Sequence, residues 1–547
     1  MSLSLLSRYA VFAGCVLFTL ASLPFLHHEW LWPFTLTTAV LRPCSACLAC
    51  STCCRRATRC AATTRSLATS VTWSRASAPR SASTCWNRTA TRCPSPAPSV
   101  RWSTPGPRTR AKNEASDKPF GTLIDVYESG FEFIGHSMRP APLADPASFR
   151  IDIGGPQCSQ PYSASIFNIS AMSFGSLSAN AIRALNQGAH LGNFAHDTGE
   201  GSISPYHREH GGDLVWELGS GYFGCRSADG QFDPARFAEQ AANPQVRMIE
   251  IKMSQGAKPG HGGILPKHKV TQEIADTRGI AMGEDCISPS RHSAFSTPIE
   301  MMQFIATLRE LSGGKPVGFK FCLGHPWEFM GIAKAMLETG ILPDFIVVDG
   351  KEGGTGAAPV EFTDHIGVPL REGLLFVHNT LVGLNLRDKI KLGASGKIVS
   401  AFDIASVLAI GADWANSARG FMFAIGCIQS QSCHTNKCPT GVATQDTLRQ
   451  RALVVPDKAQ RVLNFHHNTL RALAEMLAAA GLEHPAQLEA KHLVRRISAT
   501  EIKLFSQMHV FLKPGELLTG EVDGQFYSRM WQLARADSFE PHSEIAA

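Results

Sequence analysis

Residues 345–356 read Phe345-Ile346-Val347-Val348-Asp349-Gly350-Lys351-Glu352-Gly353-Gly354-Thr355-Gly356: four apolar residues, a carboxylate, then a loop built on glycine. A short apolar run bounded by Gly has the length and β-branched content of a strand buried on both faces. The glycines that follow permit positive φ and close approach, so their N–H groups can project from the strand's C-terminal edge as an anion nest. Runs of the same character recur at 166–170, 194–196, 248–253, 317–321, 390–392 and 412–416. Several lead through Gly-rich loops into helical patterns, at 298–311, 327–339 and 401–410. Repetition of strand, loop and helix predicts an α/β fold with a parallel sheet. Because the chemistry-bearing loops follow strand ends, the form predicted is a (βα)8 TIM-type barrel with its site at the C-terminal face.

Working outward, Gly393-Ala394-Ser395-Gly396 follows a second strand and Arg419-Gly420 a third. Gly353, Gly354 and Thr355, with Gly396 and Arg419, read together as a phosphate cradle for a bound nucleotide. The run Ile251-Lys252-Met253-Ser254-Gln255-Gly256-Ala257-Lys258-Pro259-Gly260 leaves a strand for another Gly-rich loop. There Lys258 can hold a carboxylate or polarise a carbonyl, and Arg278 can bind a carboxylate with two parallel hydrogen bonds. Lys320 lies inside an apolar strand between Phe319 and Phe321, where an ammonium needs an anionic partner. Glu200, in Asp197-Thr198-Gly199-Glu200-Gly201, is a carboxylate in a strand-end loop. Gly219-Ser220-Gly221-Tyr222-Phe223-Gly224 satisfies the dinucleotide pattern G-x-G-x-x-G. It follows Trp216-Glu217-Leu218, which does not read as a strand, and it opens no helix, so we read it as a plain Gly-rich loop. Cys427, Cys433 and Cys438 place three thiols within twelve residues, with Pro439 after the last. That spacing suits three-thiolate ligation of a [3Fe–4S] cluster and leaves zinc and inert thiols open.

The 547 residues are 44% hydrophobic and 18% charged, which excludes a disordered chain, a fibrous one and a small disulfide scaffold. Net charge is +6, yet the excess is local: residues 43–110 hold eleven Arg and no Lys, Asp or Glu. The rest of the chain is mildly acidic, and no nucleic-acid surface is implied. Eight of the sixteen Cys fall in the same stretch; the scattered remainder suits a reducing compartment. Residues 43–110 lack any apolar period and read as low-complexity and disordered. Arg without Lys, beside Cys, Trp, Ser and Pro, is what GC-rich coding DNA yields in a wrong frame. A frameshifted translation is therefore expected there, ahead of a metal module on Cys44, Cys47, Cys50 and Cys53. Residues 9–26 are uncharged and mostly apolar, about the minimum for a bilayer span at ~1.5 Å per residue. With a second apolar run at 30–41, and Arg8 and Arg42 at the outer ends, residues 1–42 predict a membrane anchor and a cytoplasmic catalytic domain. The tail, 446–547, reads as a charged helical extension.

Residues 111–445 resemble the FMN-binding synthase domain of glutamate synthases, and most closely the short, stand-alone FMN-binding glutamate synthase family proteins. The segments that carry the resemblance, in order, are Ser170-Ala171-Met172-Ser173-Phe174-Gly175, Asp197-Thr198-Gly199-Glu200-Gly201 and Ser254-Gln255-Gly256-Ala257-Lys258-Pro259-Gly260. Gly353-Gly354-Thr355-Gly356-Ala357-Ala358-Pro359 and Gly426-Cys427 through Pro439-Thr440-Gly441-Val442-Ala443-Thr444 complete them.

The resemblance implies a barrel holding FMN, a [3Fe–4S] cluster on Cys427, Cys433 and Cys438, and reductive amination of 2-oxoglutarate to L-glutamate, an oxidoreductase activity of the CH–NH2 type. It implies flavin-ring contacts from Ser170, Ala171, Met172, Ser173 and Lys320, and places Asp349 near the ribityl chain. Gly353, Gly354, Thr355, Gly396 and Arg419 would lie at the phosphate. Lys258 and Arg278 would grip the keto acid, with Glu200 and Gln255 close by. In that chemistry ammonia and 2-oxoglutarate form 2-iminoglutarate, which is reduced at the expense of FMN, with electrons arriving through the cluster. Full glutamate synthases carry a glutaminase domain with a leading Cys nucleophile, whereas this chain begins Met1-Ser2. Ammonia is then expected free or from a separate glutaminase. The electron donor is expected to be a partner, ferredoxin-like or an NAD(P)H reductase subunit. Two other readings stay open: an FMN barrel acting on another keto or hydroxy acid, and a non-catalytic membrane-anchored binding protein.

Overall fold

The computed structural model describes residues 124–355, 358–520 and 525–543. The apolar segment expected as a membrane anchor and the Arg/Cys-rich segment 43–110 lie outside the described residues. Eight strands close into a barrel: β1 (Phe167–Ile169), β2 (His196–Asp197), β3 (Leu214–Leu218), β4 (Val246–Lys252), β5 (Val317–Phe321), β6 (Phe345–Asp349), β7 (Lys391–Ser395) and β8 (Trp414–Ser417). Every neighbouring pair is parallel. The ring closes through Ala415↔Phe167, Asn416↔Asn168 and Ser417↔Ile169, so the barrel leaves no unpaired edge.

Helices line the outside: α1 (Ala179–Gly192), α2 (Pro234–Ala241), α3 (Gln272–Arg278), α4 (Pro298–Leu311), α5 (Pro326–Thr339), α6 (Leu370–Gly383), α7 (Ala401–Ala409) and α8 (Arg419–Ile425). Their starts follow from local chemistry. Thr297 accepts from Glu300 N, the Glu300 carboxylate accepts from Thr297 N, and Pro298 takes the first turn, a capping box with Pro where its missing N–H costs nothing. Ser400 and Asp403 do the same for α7. The expected strands at 317–321 and 345–349 fall where the sequence places them.

The strand β3 is a correction. Glu217 interrupts the run Leu214-Val215-Trp216-Glu217-Leu218, yet all five residues are buried. The Gly219–Gly224 loop therefore does follow a strand, but the next helix begins only at Pro234, so the dinucleotide pattern still lacks the helix it needs.

The tail is not an appendage. Its helix α9 (Val455–Ala480) buries Val462, Phe465, Leu470, Leu473 and Leu477 on one face, each worth ~1.5–3 kcal/mol relative to exposure. It lies so close along α1 that a Cβ on Gly188 would overlap Val462. The extension expected to be helical is also mixed: Leu493–Arg496 and Ile502–Leu504 form an antiparallel sheet with Glu132–Ile134. Among the described residues, no helix is long and apolar enough to cross a membrane.

Candidate active site at the barrel mouth

The loops after β6, β7 and β8 meet at the C-terminal mouth. Gly350 N donates to Ser395 O at 2.8 Å and Gly353 N to Gly350 O at 2.9 Å, folding the 350–355 loop back over its strand. A Cβ on Gly396, at φ +146°, would stand 3.4 Å from Gly350 N, and one on Gly354 would stand 2.7 Å from Arg419 Nη2. Gly353, Gly354, Gly396 and Arg419 thus form a cradle that a methyl group would fill, and they fit a phosphate met by backbone N–H groups and a guanidinium. Thr355 is exposed at its rim. Asp349 is buried and accepts from Gly256 N at 2.7 Å, which ties the 254–258 loop to β6; burial pushes its carboxyl upward. Ser170 Oγ lies 3.2 Å from Ser395 Oγ. Beyond it Met172 is buried, while Ala171 and Ser173 are partly exposed.

Beside this cradle the loops after β2 and β4 assemble a charged group. Lys252 Nζ stands 3.1 Å from Glu200 Oε1 and donates to Gln255 Oε1 at 2.9 Å. Ser288 donates to the other Glu200 oxygen at 3.2 Å. A Cβ on Gly263 would overlap that carboxylate, and one on Gly219 would stand 3.0 Å from it. Burial alone would raise the Glu200 carboxyl; Lys252 foremost, then Arg278 and Lys258, override it and hold the group at about 2. Lys258 donates to Gly262 O at 3.0 Å, and burial followed by the neighbouring Lys252 pushes its ammonium downward. Arg278 is buried beneath the 170–175 loop, with Nη2 donating to Phe174 O at 2.9 Å and Nη1 directed at Cys286 Sγ at 3.5 Å. Its Nε is buried without a partner. These contacts occupy one N–H on each Nη, so Nε and the second N–H of each Nη remain as donors.

Lys320 has its anionic partners, and they come from three other strands. Its ammonium bonds Glu217 of β3, stands 3.1 Å from Glu250 of β4 but off the line of a hydrogen bond, and lies 4.0 Å from Asp197 of β2. Among the described residues, the carboxylates of Asp197, Glu217 and Glu250 are the trio of metal-type ligands within 4.8 Å of one another. The Lys320 ammonium supplies the cation there, which removes the case for a metal. One ammonium cannot balance three buried carboxylates at that spacing. Burial first, then mutual repulsion, pushes Asp197 and Glu250 upward. Lys320 is raised too, but by charge and not by burial: burial would lower it, and Glu217, Glu250 and Asp197 hold it well above its usual value.

Cys427 follows α8, Cys433 opens a single turn, and Cys438 is buried; all three are free thiols. Burial raises Cys427 and Cys433. Cys438 is lowered in spite of burial, because the Ala443 N–H and the Thr440 hydroxyl point at its sulfur, as a thiolate ligand requires. One zinc ion with Zn–S of about 2.3 Å would gather its sulfurs to roughly 3.8 Å. Among the described residues the three thiols do not form a group within 4.8 Å of one another. The Arg419 guanidinium works against the burial that raises Cys427, so this residue of the cradle lies near the first thiol.

Lys252, Glu217, Glu250, Ser288 and Lys269 were not singled out from sequence. Lys252 carried the signal that marked Lys320, a lysine inside an apolar run. Glu217 hid because it made its strand look like a loop.

The family profile described as a conserved region in glutamate synthase matches residues 157–483. This chain belongs to the glutamate synthase family. Members of that family are oxidoreductases of the CH–NH2 type. A glutamate synthase large subunit-like protein, YerD, of Bacillus subtilis is 41% identical over 363 residues, covering 66% of this chain and 69% of that one. Archaeal-type glutamate synthase [NADPH] of Thermotoga neapolitana is 34% identical over 313 residues, 57% of this chain and 58% of its own. Archaeal glutamate synthase [NADPH] of Archaeoglobus fulgidus is 34% identical over 315 residues, with the same coverage. The chain thus spans under three fifths of the latter two glutamate synthases. Among solved structures, a flavocytochrome b2 with sulfite bound superposes with a TM-score of 0.40 at 14% identity, covering 72% of this chain and 82% of that one, a likeness too slight to bear on function.

Proposed function

We propose that this glutamate synthase family barrel reductively aminates 2-oxoglutarate to L-glutamate, with FMN in the mouth, a [3Fe–4S] cluster on Cys427, Cys433 and Cys438, and ammonia and electrons supplied by other proteins or the medium. The observation that carries the reading is the meeting of three parts at one face: the Gly354–Arg419 cradle, the Glu200–Lys252–Lys258 group and the three thiols. The balance is 2-oxoglutarate, ammonium, two electrons and two protons to glutamate and water. FMN, when bound, supplies the two-electron step. Gly353, Gly354, Thr355, Gly396 and Arg419 would hold its phosphate, with Ser170–Ser173 and Lys320 at the ring and Asp349 at the ribityl chain.

The chain's own residues divide the rest. Lys258, with its ammonium destabilised by burial, suits the polarisation of a ketone and the pairing of a carboxylate. Arg278 adds positive charge from below the 170–175 loop. Glu200, held near 2 by its cationic neighbours, is an anion at any working pH. Its role is to attract ammonium and stabilise the protonated imine, not to donate a proton. Gln255, fixed by Lys252, offers an amide beside them. A ferredoxin-like protein or an NAD(P)H reductase subunit would deliver electrons, and a separate glutaminase would deliver ammonia. Residues 1–42 are proposed to anchor the barrel at the cytoplasmic membrane face.

The test is a spectrum followed by a reaction. Purified protein should show flavin absorbance and the EPR signal of an oxidised three-iron cluster. Adding 2-oxoglutarate and ammonium together to the reduced form should reoxidise the flavin with one glutamate formed per flavin. Reoxidation that proceeds equally without ammonium would show a different substrate.

A further inference from the structure

Three consecutive backbone carbonyls of the loop after β1 are taken by side chains from two distant segments. Lys269, in the connection between β4 and α3, donates from Nζ to Ser176 O and to Cys433 O, both at 3.2 Å. Gln445 donates from Nε2 to Gly175 O and to Leu177 O, both at 2.9 Å. Lys269 is 3% exposed, so its long side chain is fixed by this task and not by solvent. Gln445 is bound in turn to the thiol segment: its N–H donates to Asn436 Oδ1 at 2.6 Å, and its neighbour Thr444 donates to Asn436 O at 2.6 Å. Ser178 N completes the join by donating to Val442 O at 2.9 Å.

We infer that Lys269 and Gln445 are positioning residues that clamp the cysteine-bearing segment 427–445 onto the 170–177 loop, so that the thiol site and the ring end of the mouth keep a fixed separation. The inference rests on the proposed function, in which those two places hold the cluster and the flavin ring. A buried charged donor shared between two loops is costly to lose, because each carbonyl it leaves behind is unsatisfied. Either loop could reach other partners alone; joined, they move as one body.

Hydrogen–deuterium exchange on the purified holoprotein tests the clamp directly. Lys269→Met and Gln445→Leu should each raise exchange about tenfold in both 170–178 and 433–445 together, while Lys269→Arg, which keeps charge and donors, stays near wild type. Freeze-quench EPR alongside stopped-flow absorbance should show flavin and iron contents retained in Lys269→Met, with electron exchange between them slowed at least about fivefold. Exchange that rises only in the substituted residue's own segment, or not at all, overturns the clamp. Unaltered electron exchange despite loosened loops overturns its purpose. If wild-type protein carries neither flavin nor iron, the functional reading fails, and the deuterium data alone then decide whether the two segments are locked.

Discussion

Substituting Gly354 by Ala tests the phosphate cradle with one methyl group. The new Cβ would stand 2.7 Å from Arg419 Nη2, well inside contact distance, so something has to move. What moves is the far end of a flexible arginine and not backbone. Gly354 does not occupy the positive-φ region, so alanine adopts its conformation without strain and even reduces the freedom of the unfolded chain. Fold stability should change by less than about 1 kcal/mol. The ligand should feel the whole displacement. A hydrogen bond to a charged group is worth about 1.5–3 kcal/mol, and each ~1.4 kcal/mol is tenfold in affinity. FMN should therefore bind roughly 10- to 150-fold more weakly. Riboflavin, which has the same ring and ribityl chain but no phosphate, is the control. Titrating apoprotein with both flavins by fluorescence quenching should show Gly354→Ala weakening FMN while leaving riboflavin within about twofold. Equal weakening of the two, or no weakening of either, would refute the cradle.

Glu200→Gln should destabilise the unliganded protein by about 3 kcal/mol at pH 7, since a carboxyl lowered from the usual 4.5 to about 2 is worth ~1.36 kcal/mol per unit. A depressed carboxyl contributes above its unfolded value and loses that contribution as pH falls through the folded one. The gap between variant and wild type in urea midpoints should accordingly narrow below about pH 4.5, and a gap that is constant with pH would count against the ion group. Lys320→Met should cost about 3–5 kcal/mol, because it strands buried carboxylates. Carboxyls with raised folded values stabilise at low pH and lose that contribution as pH rises, so this penalty should be larger at pH 8 than at pH 6. Cys433→Ser should lose bound iron, whereas Cys225→Ala, on a fully buried thiol in the connection between β3 and α2, should keep it; equal iron in both proteins would remove Cys433 as a ligand.

The barrel was legible wherever a strand was an unbroken apolar run. Val317–Phe321 and Phe345–Asp349 are such runs, and even Lys320 did not obscure the first, because phenylalanines flank it. β3 was illegible since its carboxylate finds its counter-ion only after the barrel closes. The strand β2 is two residues long, too short to show a period. At the site, the residue types and loops could be read one by one, because glycine loops after strands and clustered thiols are local signals. Pairings could not. Lys252 and Glu200 lie 52 positions apart, Lys269 and Cys433 lie 164 apart, and only closure of the ring brings their loops to one face. The tail was read as helical from α9, whereas the strand Leu493–Arg496 depends on Glu132–Ile134, some 360 residues earlier.

The order of charges along the barrel axis follows from the two-residue period of a strand. Glu250 and Lys252 sit two apart on β4 and therefore face the same way, Glu250 toward Lys320 within the barrel and Lys252 toward Glu200 at its mouth. Lys320 and Lys252 occupy paired positions on β5 and β4, yet their ammonium groups part, one to the inner carboxylates and one outward. Two like charges side by side in a low-dielectric interior leave no better arrangement. Burial and mutual repulsion push Asp197 and Glu250 upward, which favours their protonated forms and draws the inner group toward neutrality. The mouth is different: three cations, Lys252, Arg278 and Lys258, act on the Glu200 carboxylate. That excess of positive charge is what a phosphate and a dicarboxylate would neutralise. It also explains why Glu200 stays ionised, since protonating it would remove the negative charge that Lys252, Arg278 and Lys258 act on.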